Sequence, residues 1–233
     1  MDYDFEIDFS DQIKAKNLDD LTYVETPEVF LKTAESDFQY MDININPLLN
    51  FPPPKNSSDQ TKRELLEMKT FMESDHSEDF KSNLKKMDED PAGFIINEYK
   101  KISNKSVPKK VLDFITGGDV EVLAMKLKMH YNRPRPYQIA DYYEINLNYN
   151  KTIQHGEANA PSYPSGHTLA AYFAARVIGY IDPKYQEDLI KKAEMVADSR
   201  IAEGVHFKSD NNFSFALVDN TMMKAFTEAY EKV

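Results

Sequence analysis

Three short stretches of this 233-residue chain combine cations with histidine at spacings that could gather them around one anion. The first is Lys126-Leu127-Lys128-Met129-His130-Tyr131-Asn132-Arg133-Pro134-Arg135-Pro136. Lys128 and Arg135 are seven apart, nearly aligned wherever a helix of about 3.6 residues per turn persists, and Lys126 and Arg133 share that spacing on another face. The second, Ser162-Tyr163-Pro164-Ser165-Gly166-His167-Thr168, leads into a run of helix formers. It reads as a tight turn into a helix with Ser165 near the N-cap. The unpartnered N–H groups of such a start, with the positive end of the helix dipole, favour an anion by about 0.3 to 1 kcal/mol per charge. Gly166 lets a ligand approach the backbone, and His167 stands beside it in the first turn.

The third stretch is Ser199-Arg200-Ile201-Ala202-Glu203-Gly204-Val205-His206-Phe207-Lys208-Ser209-Asp210. In a helical segment His206 and Asp210, four apart, would meet, although Gly204 can break the helix just upstream. A carboxylate on one imidazole nitrogen fixes the tautomer and frees the other nitrogen as nucleophile or base. Plainer readings stand beside these: a structural cap, a solvated cationic face, a local His-Asp hydrogen bond. His76, among acidic residues, reads as surface, His130 as a packing residue or neighbour of the site, and His155 as a loop residue. No His-x-x-x-His pair or carboxylate cluster has ligand spacing, so no metal is expected; convergence of His155, His167 and His206 in space would be the exception.

Taken together, Lys128 with six residues to Arg135-Pro136, then Pro164-Ser165-Gly166-His167, then Ser199-Arg200 with five residues to His206 and three more to Asp210, resembles the three-part signature of the type 2 phosphatidic acid phosphatase superfamily. That superfamily includes vanadium haloperoxidases and the bacterial class A nonspecific acid phosphatases, to which Ser162 to Thr168 and the triple proline Pro52-Pro53-Pro54 are most similar. The resemblance implies an all-α, single-domain helical bundle with the site at one end. It further implies a metal-independent phosphomonoesterase working through a phosphohistidine. By position, His206 is the nucleophile, Asp210 orients it, and His167 is the general acid and then the base. Lys128, Arg135, Ser165, Gly166 and Arg200 hold the phosphoryl oxygens. Lys126 with Arg133-Pro134 fits the first motif's spacing equally well; Lys128 and Arg135 extend the likeness over more positions, which makes Arg133 and His130 neighbours of the site. No cofactor is implied, with vanadate as an inhibitor. The alternatives are a haloperoxidase carrying vanadate as prosthetic group, a lipid phosphate phosphatase, and an anion-binding protein without turnover. The resemblance is also compatible with a homo-oligomer.

The rest of the composition narrows the field. A net charge of -11, from 39 acidic against 28 basic residues, disfavours a general surface for nucleic acid or anionic lipid, and points to a small phosphate ester in a local pocket. With no cysteine there is no disulfide and no thiolate chemistry. The acidic start, Met1 to Asp8, lacks the basic and apolar regions of a secretory signal, and the apolar run from Thr168 to Ile181 contains Arg176 and is short of the about 20 residues a bilayer needs. A cytoplasmic protein without an integral membrane segment is expected.

Positioning the three stretches falls to helices. Residues 1–45, acidic and weakly periodic, read as an added arm with one helical candidate at Pro27 to Glu35, ahead of a helical domain over 46–233. Pro47 and Pro52 to Pro54 force an extended segment. Apolar spacings of three and four predict helices after Ser58, over Ser77 to Met87, over Pro91 to Lys101, after Pro108 until Gly117-Gly118, and over Asp119 to Tyr131. Residues 137–160 read as a long loop. Helices resume over Ser165 to Tyr180, Pro183 to about Gly204, and from about His206 to the C-terminus.

Overall fold

The computed structural model describes residues 17–23, 26–147 and 159–232. The helices are α1 (Glu28–Glu35), α2 (Asp59–Met72), α3 (Glu78–Glu89), α4 (Pro91–Ser103), α5 (Lys109–Thr116), α6 (Asp119–Tyr131), α7 (Pro136–Ala140), α8 (Gly166–Ile181), α9 (Gln186–Ala202), α10 (Lys208–Leu217) and α11 (Met223–Glu231). Short 3₁₀ turns lie between several of them, a π turn joins α10 to α11, and no strand occurs among the described residues. The fold is all-α.

Helix α8 is the centre. Leu169, Phe173, Val177 and Ile178 are wholly buried, and so are Ala171, Ala174 and Ala175. A helix that is apolar on nearly all sides must be surrounded, and α8 packs against α4, α5, α6, α9, α10 and α11. Its alanines let those neighbours come close. The surrounding helices begin where local chemistry says they should. The Ser58 side chain accepts from Thr61 N at 3.2 Å, Ser77 from Phe80 N at 3.2 Å and Asp90 from Gly93 N at 2.8 Å, each satisfying one orphan N–H of a first turn. Helix α6 stops at Asn132, which takes the left-handed conformation (φ 46°) two residues before Pro134.

Two expectations are corrected. Residues 137–160 are not a loop from their start, because α7 and a 3₁₀ turn over Asp141–Tyr143 occupy the beginning. Pro136 sits at the first helical position and the Gln138 side chain accepts the Arg135 N–H at 2.7 Å, a short start signal inside a Tyr- and Asn-rich stretch. Ile139 and Ala140 then pack with Leu65, Met68 and Phe207 in a second apolar cluster. His76 is not open surface either: its ring is wedged between Phe71 and Phe80, 4.7 Å from each centroid. His155 lies outside the described residues.

Residues 34–41 are tied along α6. The Asp119 carboxylate, 1% exposed, accepts the N–H groups of Gln39, Tyr40 and Met41 at 2.7, 2.9 and 2.7 Å. Lys126 Nζ donates to Ala34 O at 2.8 Å, and α1 packs against α6.

Candidate active site

A cavity of about 260 Å³ opens where the N-terminus of α8 meets the C-terminal turn of α6 and the turn between α9 and α10. Lys128, Arg135, Gly166, His167, Arg200 and His206 line it together with Asp88. Residues from all three sequence stretches therefore share one hollow.

Backbone carbonyls and side chains lock the stretches to one another. Lys128 Nζ donates to Pro161 O, and Arg135 Nε to Ala160 O at 2.7 Å. Ser162 N donates to Arg133 O at 2.9 Å, and its hydroxyl to Pro134 O at 3.1 Å. Arg135 also reaches the third stretch, giving one guanidinium N–H to Val205 O at 2.8 Å. Between the second stretch and α10, which continues the third, run Thr168 Oγ1 to Asn211 Oδ1 at 2.8 Å and Ser214 Oγ to Ser165 O at 2.9 Å. Buried charges held by several acceptors each are costly to displace.

The helix turn decides which cations face the cavity. Lys128 is on the cavity side of α6, 3% exposed. Lys126 and His130 are each two residues away, about 200° around the helix. Lys126 accordingly turns to Ala34 O and lies over the Phe38 ring at 5.8 Å. His130 is exposed, its ring against Tyr131, outside the cavity lining. Arg133 is buried just behind the site. It donates to Asp210 Oδ1 at 2.6 Å and to Ser209 Oγ at 2.8 Å, stacks over Phe207 at 3.9 Å, and Ser209 in turn donates to Glu64 at 2.7 Å.

His206 is gripped at both nitrogens. Nδ1 is 3.1 Å from Asp210 Oδ2, and Nε2 is 3.0 Å from Arg135 NH1. The pair does not share a helix turn. His206 stands in the turn after α9, where Gly204 takes φ 69°, and Asp210 lies in the first turn of α10 and reaches back, also accepting Phe207 N at 2.9 Å. A carboxylate that caps α10 and receives Arg133 serves as the acceptor for Nδ1–H, which leaves the Nε2 lone pair to accept from Arg135. Burial, then Arg135, Lys128 and Arg200, hold the His206 pKa well below the usual histidine value. Burial raises Asp210 above the usual carboxylate range, opposed by Arg133 and the Phe207 N–H.

His167 has a different set of partners. Its Nε2 is 2.8 Å from Asp88 O and 3.6 Å from the Asp88 carboxylate. Burial, followed by Arg200 and then Lys128 and Arg135, keeps its pKa well below the ordinary value. Arg200 donates to Asp88 Oδ1 at 2.7 Å and pairs with Glu203. Gly166 opens α8, and a side chain there would meet nothing within 4 Å, so the open space is the cavity itself. The Ser165 hydroxyl, by contrast, is wholly buried and engaged with Thr168, 3.0 Å from Oγ1, capping the helix. Among the described residues no three His, Cys, Asp or Glu side chains form a group that could hold a metal ion.

Asp88 escaped the sequence reading. It lies in Asp88-Glu89-Asp90 at the end of α3, where three acids in succession give no hint that one turns inward. Glu203 and Glu64 were equally silent.

Residues 114–218 match the PAP2 superfamily. A non-specific acid phosphatase of Providencia stuartii is 29% identical over 112 residues, which cover 47% of this chain and 43% of that protein. The matched stretch contains every cavity-lining cation and both histidines. With the three spaced stretches converging at one end of an all-α bundle, the chain is similar over residues 114–218 to the PAP2 superfamily and, over 112 residues, to an acid phosphatase.

Proposed function

We propose that the chain is a phosphomonoesterase that passes the phosphoryl group of a phosphate monoester to His206 and then to water, without a metal ion. One observation carries this reading: His206, fixed by Asp210 at Nδ1 and Arg135 at Nε2, lies in a cavity lined by two further cations. Its lowered pKa favours the neutral imidazole, and Nε2 becomes the nucleophile once the Arg135 N–H that it accepts turns to a phosphoryl oxygen.

In the first step the bond from Nε2 to phosphorus forms as the bond to the alcohol oxygen breaks, and His167 gives that oxygen a proton. In the second, His167 takes a proton from water, the water oxygen bonds to phosphorus, the Nε2–P bond breaks, and inorganic phosphate leaves. Lys128, Arg135, Arg200 and the Gly166 N–H stabilise the charge spread over the phosphoryl oxygens throughout. His167 uses Nε2–H to donate to Asp88 O, which leaves Nδ1 to gain and give the proton. A bound phosphate dianion offsets the three cations that depress His167, so substrate binding itself favours the protonated acid. Turnover should then fall as pH rises through the pKa of His167 in the complex.

The experiment is p-nitrophenyl phosphate hydrolysis between about pH 4 and 8 with EDTA present, on wild type and His206→Ala. Hydrolysis that resists EDTA, is inhibited by orthovanadate and disappears in the variant is the expected result. No turnover by folded wild type, or turnover that survives in His206→Ala, would contradict it.

A further inference from the structure

The cavity is longer than its cationic end. Along α6 its lining passes from Lys128 through Met125 and Ala124 to Glu121 and Val120, about 12 Å at 1.5 Å per residue. The far end is mostly apolar: Ile115 lines it from α5, Ala170 from α8 and Phe30 from α1, with Thr116 adding a hydroxyl. Helix α1 lies outside residues 114–218 and is held on α6 by Lys126 at Ala34 O and by Asp119 at the N–H groups that follow. Phe30 is half-buried and faces this wall, whereas Val29 and Leu31 on the same helix are exposed. Among the described residues, the charged side chain at that end of the lining is Glu121, which is exposed.

We infer that α1 supplies the leaving-group wall of the site and that Phe30 selects phosphate monoesters of apolar, uncharged alcohols. This rests on the phosphomonoesterase reading for its chemistry. The cationic end takes the phosphoryl group. An alkyl or aryl group then lies along Ala124 and Met125 under Phe30, exchanging water for apolar contact. Glu121 disfavours a leaving group with a second phosphate or a carboxylate, and a polyol finds along the wall only the Thr116 hydroxyl, whose proton already goes to Leu112 O, to replace its water.

The test uses ligands that separate binding from turnover. Isothermal titration of n-hexylphosphonate and methylphosphonate compares wild type, Phe30→Ala and the exposed control Leu31→Ala. Hydrolysis of n-hexyl phosphate and glycerol 1-phosphate is measured alongside. Wild type should bind the hexyl compound at least about tenfold more tightly than the methyl one. That ratio should collapse toward one in Phe30→Ala, persist in Leu31→Ala, and reappear as a kcat/KM preference for the hexyl ester. Equal binding of the two phosphonates by wild type overturns the inference, and so does a ratio that Phe30→Ala leaves intact. The wild-type comparison decides even if Phe30→Ala does not fold. A binding preference without hydrolysis of any ester would sink the phosphomonoesterase reading and leave the wall standing; hydrolysis without preference would do the reverse.

Discussion

At the scale of single residues, what distinguishes the site is which of several similar side chains face inward. Lys126 and Lys128 fit the same spacing, yet the helix sends one to Ala34 O and the other into the cavity. Likewise Arg133 and Arg135 divide the work: the first holds Asp210, the second His206. Removing one preorganised cation from developing charge typically costs about 10² to 10³ in rate. Lys128→Ala should therefore lower kcat/KM for p-nitrophenyl phosphate by about that factor, whereas Lys126→Ala should change it less than about threefold and act mainly on thermal stability. Steady-state kinetics and a thermal melt on both variants check the assignment; equal kinetic losses would mean that the first motif's register is wrong.

At the scale of elements, the proposed function makes the N-terminus of α8 the anion site, which needs Gly166 to have no side chain. Because an added Cβ meets nothing within 4 Å, Gly166→Ala should fold with little change in melting temperature, while the methyl group, standing in the space an anion would take, lowers orthovanadate affinity by about tenfold. Calorimetric titration and a melt on the same sample separate the two; a destabilised variant with normal vanadate affinity would place the anion elsewhere. Most helices were legible beforehand, since apolar spacings of three and four and Ser58 ahead of α2 are local signals. Helix α7 was not, because its five residues are too short to show a period and their burial comes from the distant Leu65, Met68 and Phe207. The inward carboxylate of Asp88 was hidden for a related reason. Its partners, His167 and Arg200, are far along the chain, and nothing in Asp88-Glu89-Asp90 marks the residue that meets them. The spacing of His206 and Asp210 did predict their meeting, though through a turn and a helix start rather than one helix face.

At the scale of the whole molecule, two buried histidines with depressed pKa values couple the site to global stability. Below the ordinary value of 6.5 the unfolded chain binds protons that the folded chain refuses, so stability should fall as pH drops through that value. The slope is at most about 1.4 kcal/mol per pH unit for each group. Asp210, raised by burial, works in the opposite direction nearer the carboxylate range. Denaturant titrations at pH 7 and pH 5 should show the lower stability at pH 5, with a smaller difference in His206→Gln; equal stabilities would mean that the histidines are not held neutral. Orthovanadate bound in the folded state should recover part of the loss.

The central claim is the covalent step at His206. Wild type and His167→Ala are mixed with p-nitrophenyl phosphate, quenched in base to preserve a nitrogen-linked phosphate, digested, and read by tandem mass spectrometry. An acid-labile phosphate on His206, enriched in His167→Ala because water is no longer activated and absent from His206→Ala, is the expected result. Turnover with no phosphate on His206 under any quench, or with the label on another residue, would contradict the account.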